Sequence, residues 1–126
     1  MTAPSLEPPD AELVTINVSM AGPAMFVTAV GEIDSMSAPI LRQHLDALLD
    51  GDVRELTVDL GQVSFLDSAG LCVLATVHRR AVRQDVRMRV LASSRAVIRP
   101  MQITGLWELL RAEQVTAGEQ AAQGVA

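Results

Sequence analysis

A chain of 126 residues is long enough for one domain with a sizeable core and too short for two. Hydrophobic residues make up 49% of it and aromatic residues 2%, which excludes a disordered chain and leaves no stacking platform for single-stranded nucleic acid. The formal net charge is -5 and every basic residue is arginine, so the dense positive surface that nucleic-acid phosphates require is missing, and nucleic acid is set aside as a partner.

Residues 1–11, with Pro4, Pro8 and Pro9, read as a flexible leader. They have neither a basic start nor an apolar run, so they do not read as a signal peptide. No segment approaches the roughly eighteen apolar residues of a membrane span. A cytoplasmic protein without direct membrane insertion is expected.

Val14, Ile16 and Val18 alternate with polar residues at the period of a half-buried strand. Ala21-Gly22-Pro23 reads as a turn and residues 25–30 as a second strand, so the two predict a hairpin. Gly31-Glu32-Ile33-Asp34 leaves that strand, and Ser35 and Ser37 offer caps for a helix whose Leu41, Leu45, Leu48 and Leu49 make one stripe. Asp50-Gly51-Asp52 ends it. Leu56, Val58 and Leu60 predict a third strand, followed by a loop over residues 61–67.

A second helix is predicted from Ser68 to about Arg83, with Leu71, Leu74, Ala75, His78 and Val82 on its inner face and Val73 and Val77 widening it. Val86, Met88 and Val90 predict a fourth strand. Ser93 or Ser94 could cap a third helix that Pro100 would end or kink. Thr104-Gly105 reads as a turn, residues 106–110 as a last apolar segment, and residues from 112 onward as a loose tail. Strands separated by helices predict one α/β domain over residues 12–111. Its sheet is mixed, with four to five strands and an antiparallel N-terminal hairpin, and right-handed crossovers put the helices mainly on one side.

Chemistry concentrates at Asp67-Ser68-Ala69-Gly70. Either Asp67 or Ser68 can accept a bond from the helix's first free N–H groups, and Gly70 permits close packing. A catalytic serine would need a base within reach. His78 lies ten residues on along the same helix, roughly 15 Å at 1.5 Å per residue, so it is out of range. The elbow G-x-S-x-G is absent, because Leu66 stands where its first glycine belongs. No catalytic residue is assigned, and no cofactor. Two distant histidines and one cysteine have no metal-ligand spacing. Cys72 reads as a small buried hydrophobe, and it excludes an internal disulfide. Arg79, Arg80 and Arg83 read as a solvated face near a helix C-terminus. A phosphoryl group on Ser68 would add about -1.5 to -2 charges at a helix N-terminus that tolerates them, repelled by Asp67 and by Asp34 if it is close.

Four blocks taken in order resemble one known family. They are Gly31-Glu32-Ile33-Asp34, Leu41-Arg42, the run from Val58 through Asp67-Ser68-Ala69-Gly70-Leu71, and Ile103-Thr104-Gly105-Leu106. Over roughly residues 12–111 the chain resembles the STAS domain, and within it the bacterial anti-sigma factor antagonists. The resemblance implies a phosphorylated serine at the start of the second helix, Ser68 here, with Asp34 as the acidic residue beside it. It implies an anti-sigma factor with kinase activity as partner and a metal-dependent serine phosphatase that resets the switch. Asp34, Ser35, Asp67, Ser68, Ala69 and Gly70 would form the partner-binding corner. Ala69 departs from the Ser or Thr often found after the family's serine, and Pro100 is unusual in the third helix. A homodimer is left open. The alternatives are a soluble accessory subunit of a membrane transport complex and a STAS interaction module that is never phosphorylated.

Overall fold

The computed structural model describes residues 14–116, so the expected leader lies outside the described residues. Val14–Ala21 (β1) and Ala24–Ile33 (β2) form the expected antiparallel hairpin, in unbroken register from Val14 opposite Gly31 to Ala21 opposite Ala24. The two-residue turn places Gly22 at φ +63°, where a side chain would be strained, and Pro23 after it. The remaining elements are Ala38–Leu49 (α1), Glu55–Leu66 (β3), Ser68–Arg83 (α2), Arg87–Ala92 (β4), Arg95–Ile103 (α3), Leu106–Leu109 (α4) and Glu113–Gln114 (β5). They build one mixed sheet in the order β1-β2-β3-β4-β5, antiparallel only between β1 and β2.

Pairing carries the burial pattern across the strands. Val27 is opposite Val58, which is opposite Val90, and all three are fully buried. Successive parallel crossovers step in one direction along the sheet, so right-handed connections lay α1 and α2 on the same face. Leu41, Leu45 and Leu49 of α1 and Val73, Leu74 and Val77 of α2 join that core, as do Val97 and Met101 of α3. The opposite face carries Asn17, Ser19, Phe26, Arg87 and Arg89.

Several expectations are corrected. Residues 61–66, expected in a loop, continue β3, which pairs with β2 as far as Leu66 opposite Ile33. Two register shifts hide the strand: β3 carries an extra residue between Asp59 and Gln62 and another between Val63 and Phe65, which breaks the alternation. On α2 the buried row is Gly70, Val73, Leu74, Val77 and Ala81, whereas Val82 is 61% exposed. The helix rests on its small residues, so its inward face is rotated from the expected one. Cys72 lies off that row and is exposed, not buried.

Of the two effects expected of Pro100, to end or to kink α3, the first does not occur, since the helix runs three residues past it to Ile103. Finally, at the start of the tail expected to be loose from residue 112, Glu113 and Gln114 form β5 opposite Leu91 and Ala92, and residues 117–126 lie outside the described residues.

Arg80 is also more than a solvated charge. It reaches Asp46 at 3.2 Å and Asp50, both on or next to α1, and donates to Gln84 Oε1 at 2.6 Å. Gln84 in turn donates to the Leu49 carbonyl at 2.7 Å, so the C-terminal ends of α1 and α2 are braced together.

Candidate functional site

The last paired residues of β2 and β3, Ile33 and Leu66, deliver two acids to one edge of the sheet. Asp34 and Asp67 are the next residues in each chain segment, and the Asp67 N–H donates to the Ile33 carbonyl at 3.1 Å. Each acid then organises the start of a helix, by different means.

The Asp67 carboxylate is the N-cap of α2. Its Oδ1 accepts from the Ala69 N–H at 2.9 Å and from the Gly70 N–H at 3.4 Å. Ser68, the first helical residue, is exposed, and its hydroxyl has no hydrogen-bond partner among the described residues. Of the two residues that could have capped the helix, Asp67 does so and Ser68 is left with a free hydroxyl. Gly70 is buried beneath them. A Cβ there would lie 2.5 Å from Leu66 Cδ1 and 2.9 Å from Ile33 Cγ2, so glycine lets the helix start seat on the strand ends.

Asp34 Oδ1 accepts from the N–H groups of Met36 and Ser37 at 2.9 and 3.1 Å. Those bonds, Ser37's first, hold its carboxyl below the usual carboxylate range. Ser37 is the positional N-cap of α1 but does not cap it with its side chain. Its fully buried hydroxyl accepts from the Asp34 N–H at 2.9 Å and donates to the Glu32 carbonyl at 2.8 Å. Ser35 is exposed in the connecting turn.

The structure therefore brings Asp34, Ser35, Asp67, Ser68 and Ala69 to one corner, with Gly70 as the packed floor beneath it. Reasoning from sequence missed two apolar neighbours, Met36 at 55% exposure and Phe65 at 45%. Phe65 pairs with Glu32 beside the strand ends, and Met36 stands in the turn before α1. Phe65 was concealed by the register shift at Ser64, which turns it outward although Val63 and Leu66 are buried.

Nothing described at this corner activates a nucleophile. His44 is exposed on α1 with Nδ1 2.9 Å from the Ile40 carbonyl, and His78 is a half-buried residue of α2 that burial pushes below the usual imidazole value. Among the described residues no group of three or more His, Cys, Asp or Glu could hold a metal ion. No described helix is long and apolar enough to cross a membrane. The corner presents two serine hydroxyls, two carboxylates and two large apolar side chains, which suits recognition by another macromolecule.

Residues 15–120 match the STAS domain family, and the chain belongs to it. Within the family it is similar to anti-sigma factor antagonists. It is 34% identical over 84 residues to the anti-sigma-B factor antagonist of Bacillus subtilis, covering 67% of this chain and 76% of that one. With the anti-sigma-F factor antagonist RsfB of Mycobacterium tuberculosis it shares 29% identity over 98 residues, or 78% of this chain and 80% of the relative. The crystal structure of an anti-sigma factor antagonist from Mycobacterium paratuberculosis superposes with a TM-score of 0.76 at 29% identity, covering 92% of this chain and 96% of that one.

Proposed function

We propose that the chain is an anti-sigma factor antagonist that binds an anti-sigma factor with serine kinase activity, and that phosphorylation of Ser68 releases it. The observation that carries this reading is the division of labour at the start of α2. Asp67 satisfies the helix, so the exposed Ser68 hydroxyl is free for another molecule. Asp34, Ser35 and Asp67 make the polar part of the contact around Ser68, and Ala69, Met36 and Phe65 its apolar part.

In the transfer step the Ser68 Oγ attacks the γ-phosphorus of ATP. The hydroxyl proton passes to a base of the kinase and ADP leaves. A serine phosphatase reverses the state when water attacks the phosphorus, inorganic phosphate departs and the hydroxyl is restored. The chain is substrate and ligand in this scheme, not catalyst. The added dianion meets the positive end of α2 and the negative charges of Asp67 and Asp34, so the opposing terms largely offset within the fold. A partner seated on the corner meets the new charge without that compensation.

The test is to incubate the chain with its anti-sigma factor and ATP and locate the phosphate by mass spectrometry. Phosphoserine at 68, abolished in Ser68→Ala, is expected. Phosphate at another residue, or labelling that persists in Ser68→Ala, would overturn the assignment. Ser68→Asp is expected to weaken the complex at least about tenfold, or roughly 1.4 kcal/mol. Unchanged binding by that variant would favour the module that is never phosphorylated.

A further inference from the structure

β1 is an edge of the sheet, and among the described residues nothing covers it. Its eight residues, Val14 to Ala21, include no charge and no proline, and its register with β2 shows no bulge. The two-residue turn makes Ala21 and Ala24 a hydrogen-bonded pair, so Thr15, Asn17 and Ser19 direct their backbone groups at β2. Ile16, Val18 and Met20 therefore turn their N–H and C=O groups outward, and no described residue takes them up. The side chains of these same residues point to the helix-bearing face, where Val18 is 44% and Met20 65% exposed.

We infer that this edge pairs antiparallel with β1 of a second copy of the chain, joining two five-stranded sheets about a two-fold axis near Val18. The strand is self-complementary in this arrangement. Val18 faces Val18 of the second copy and Ile16 faces Met20 on the helix-bearing face, while Asn17 faces Ser19 on the other. Apolar residues meet apolar ones, polar residues meet polar ones, and no like charges are brought together. The absence of charge argues for a second copy over an acidic or basic segment, since nothing on the strand would select either. Val14 lies opposite Gly31, near the Ser68 edge of the sheet, so antiparallel pairing sends the two Ser68 corners to opposite ends of the joined sheet. The inference thus stands or falls independently of the role of Ser68.

Sedimentation velocity of the full chain over a micromolar-to-millimolar series tests it. A monomer–dimer equilibrium is expected, and Val18→Lys should raise the dimer dissociation constant at least about tenfold. Ile103→Lys, at an exposed apolar residue of α3, should leave it unchanged. Circular dichroism checks that the variants fold, and Met20→Lys serves if Val18→Lys does not. Hydrogen exchange should show the amides of Ile16, Val18 and Met20 more protected in concentrated than in dilute wild-type samples. A monomer throughout, a dimer that survives the lysine at the edge, or a dimer lost equally in Ile103→Lys would overturn the inference.

Discussion

Ser37 precedes α1 and Ser68 begins α2, one after the end of β2 and the other after the end of β3, yet their surroundings differ completely. Ser37 is fully buried, and its hydroxyl joins the Asp34 N–H to the Glu32 carbonyl. Ser68 is exposed, and the capping that a serine could have done falls to its neighbour Asp67. One serine is thereby built into the fold and the other is left available on it. A residue type common at helix starts acquires its meaning from whether another group has already satisfied the helix.

Substitutions should separate the two helix starts by size of effect. The largest is expected at Gly70, where Val would drive carbon into Leu66 and Ile33. Overpacking of this kind costs about 2–3 kcal/mol, read as a lowered midpoint of chemical denaturation. Ser37→Ala should cost about 1–3 kcal/mol, because it strands a buried N–H and a buried carbonyl. A neutral result there would end the contrast with Ser68. Asp67→Ala should cost about 1 kcal/mol through loss of the cap.

Asp34 gives the contrast a pH dependence. Its folded pKa lies below the ordinary 3.8, so its stabilising contribution is complete well above that value and is lost as pH falls through it towards the folded pKa. Asp34→Asn keeps an oxygen acceptor but cannot titrate in this range. The stability gap between wild type and this variant should therefore narrow as the pH is lowered from 6 through about 4 and below, followed by urea denaturation. Smallest of all, Ser68→Ala should change stability by no more than about 0.5 kcal/mol in thermal unfolding. A larger loss would show that Ser68 is a structural serine after all.

Much of this architecture was legible in the sequence, and the exceptions have physical causes. The hairpin and the start of α2 could be read because Gly22-Pro23 and Asp67-Ser68 are local signals whose effect is felt within a few residues. Asp67 could not be told from Ser68 as the cap until the carboxylate was placed against the Ala69 and Gly70 N–H groups. The inward face of α2 was misjudged because Gly70 and Ala81 contribute little hydrophobic weight to a pattern, although both are buried at the seam. The far half of β3 was hidden by its two extra residues, and with it the exposed Phe65. β5 is only Glu113 and Gln114, and two polar residues carry no alternation to read.

Asp46, Asp50, Arg80, Gln84 and the Leu49 carbonyl fasten α1 and α2 at the ends remote from Ser68. Like the handle of a tuning fork, that clasp fixes the prongs relative to each other, while Gly70 seats one prong against the strand ends. On the reading proposed above, a charge placed at Ser68 would meet a helix braced at its far end. The change would then be felt in the surface of that corner, where the proposed partner would meet it.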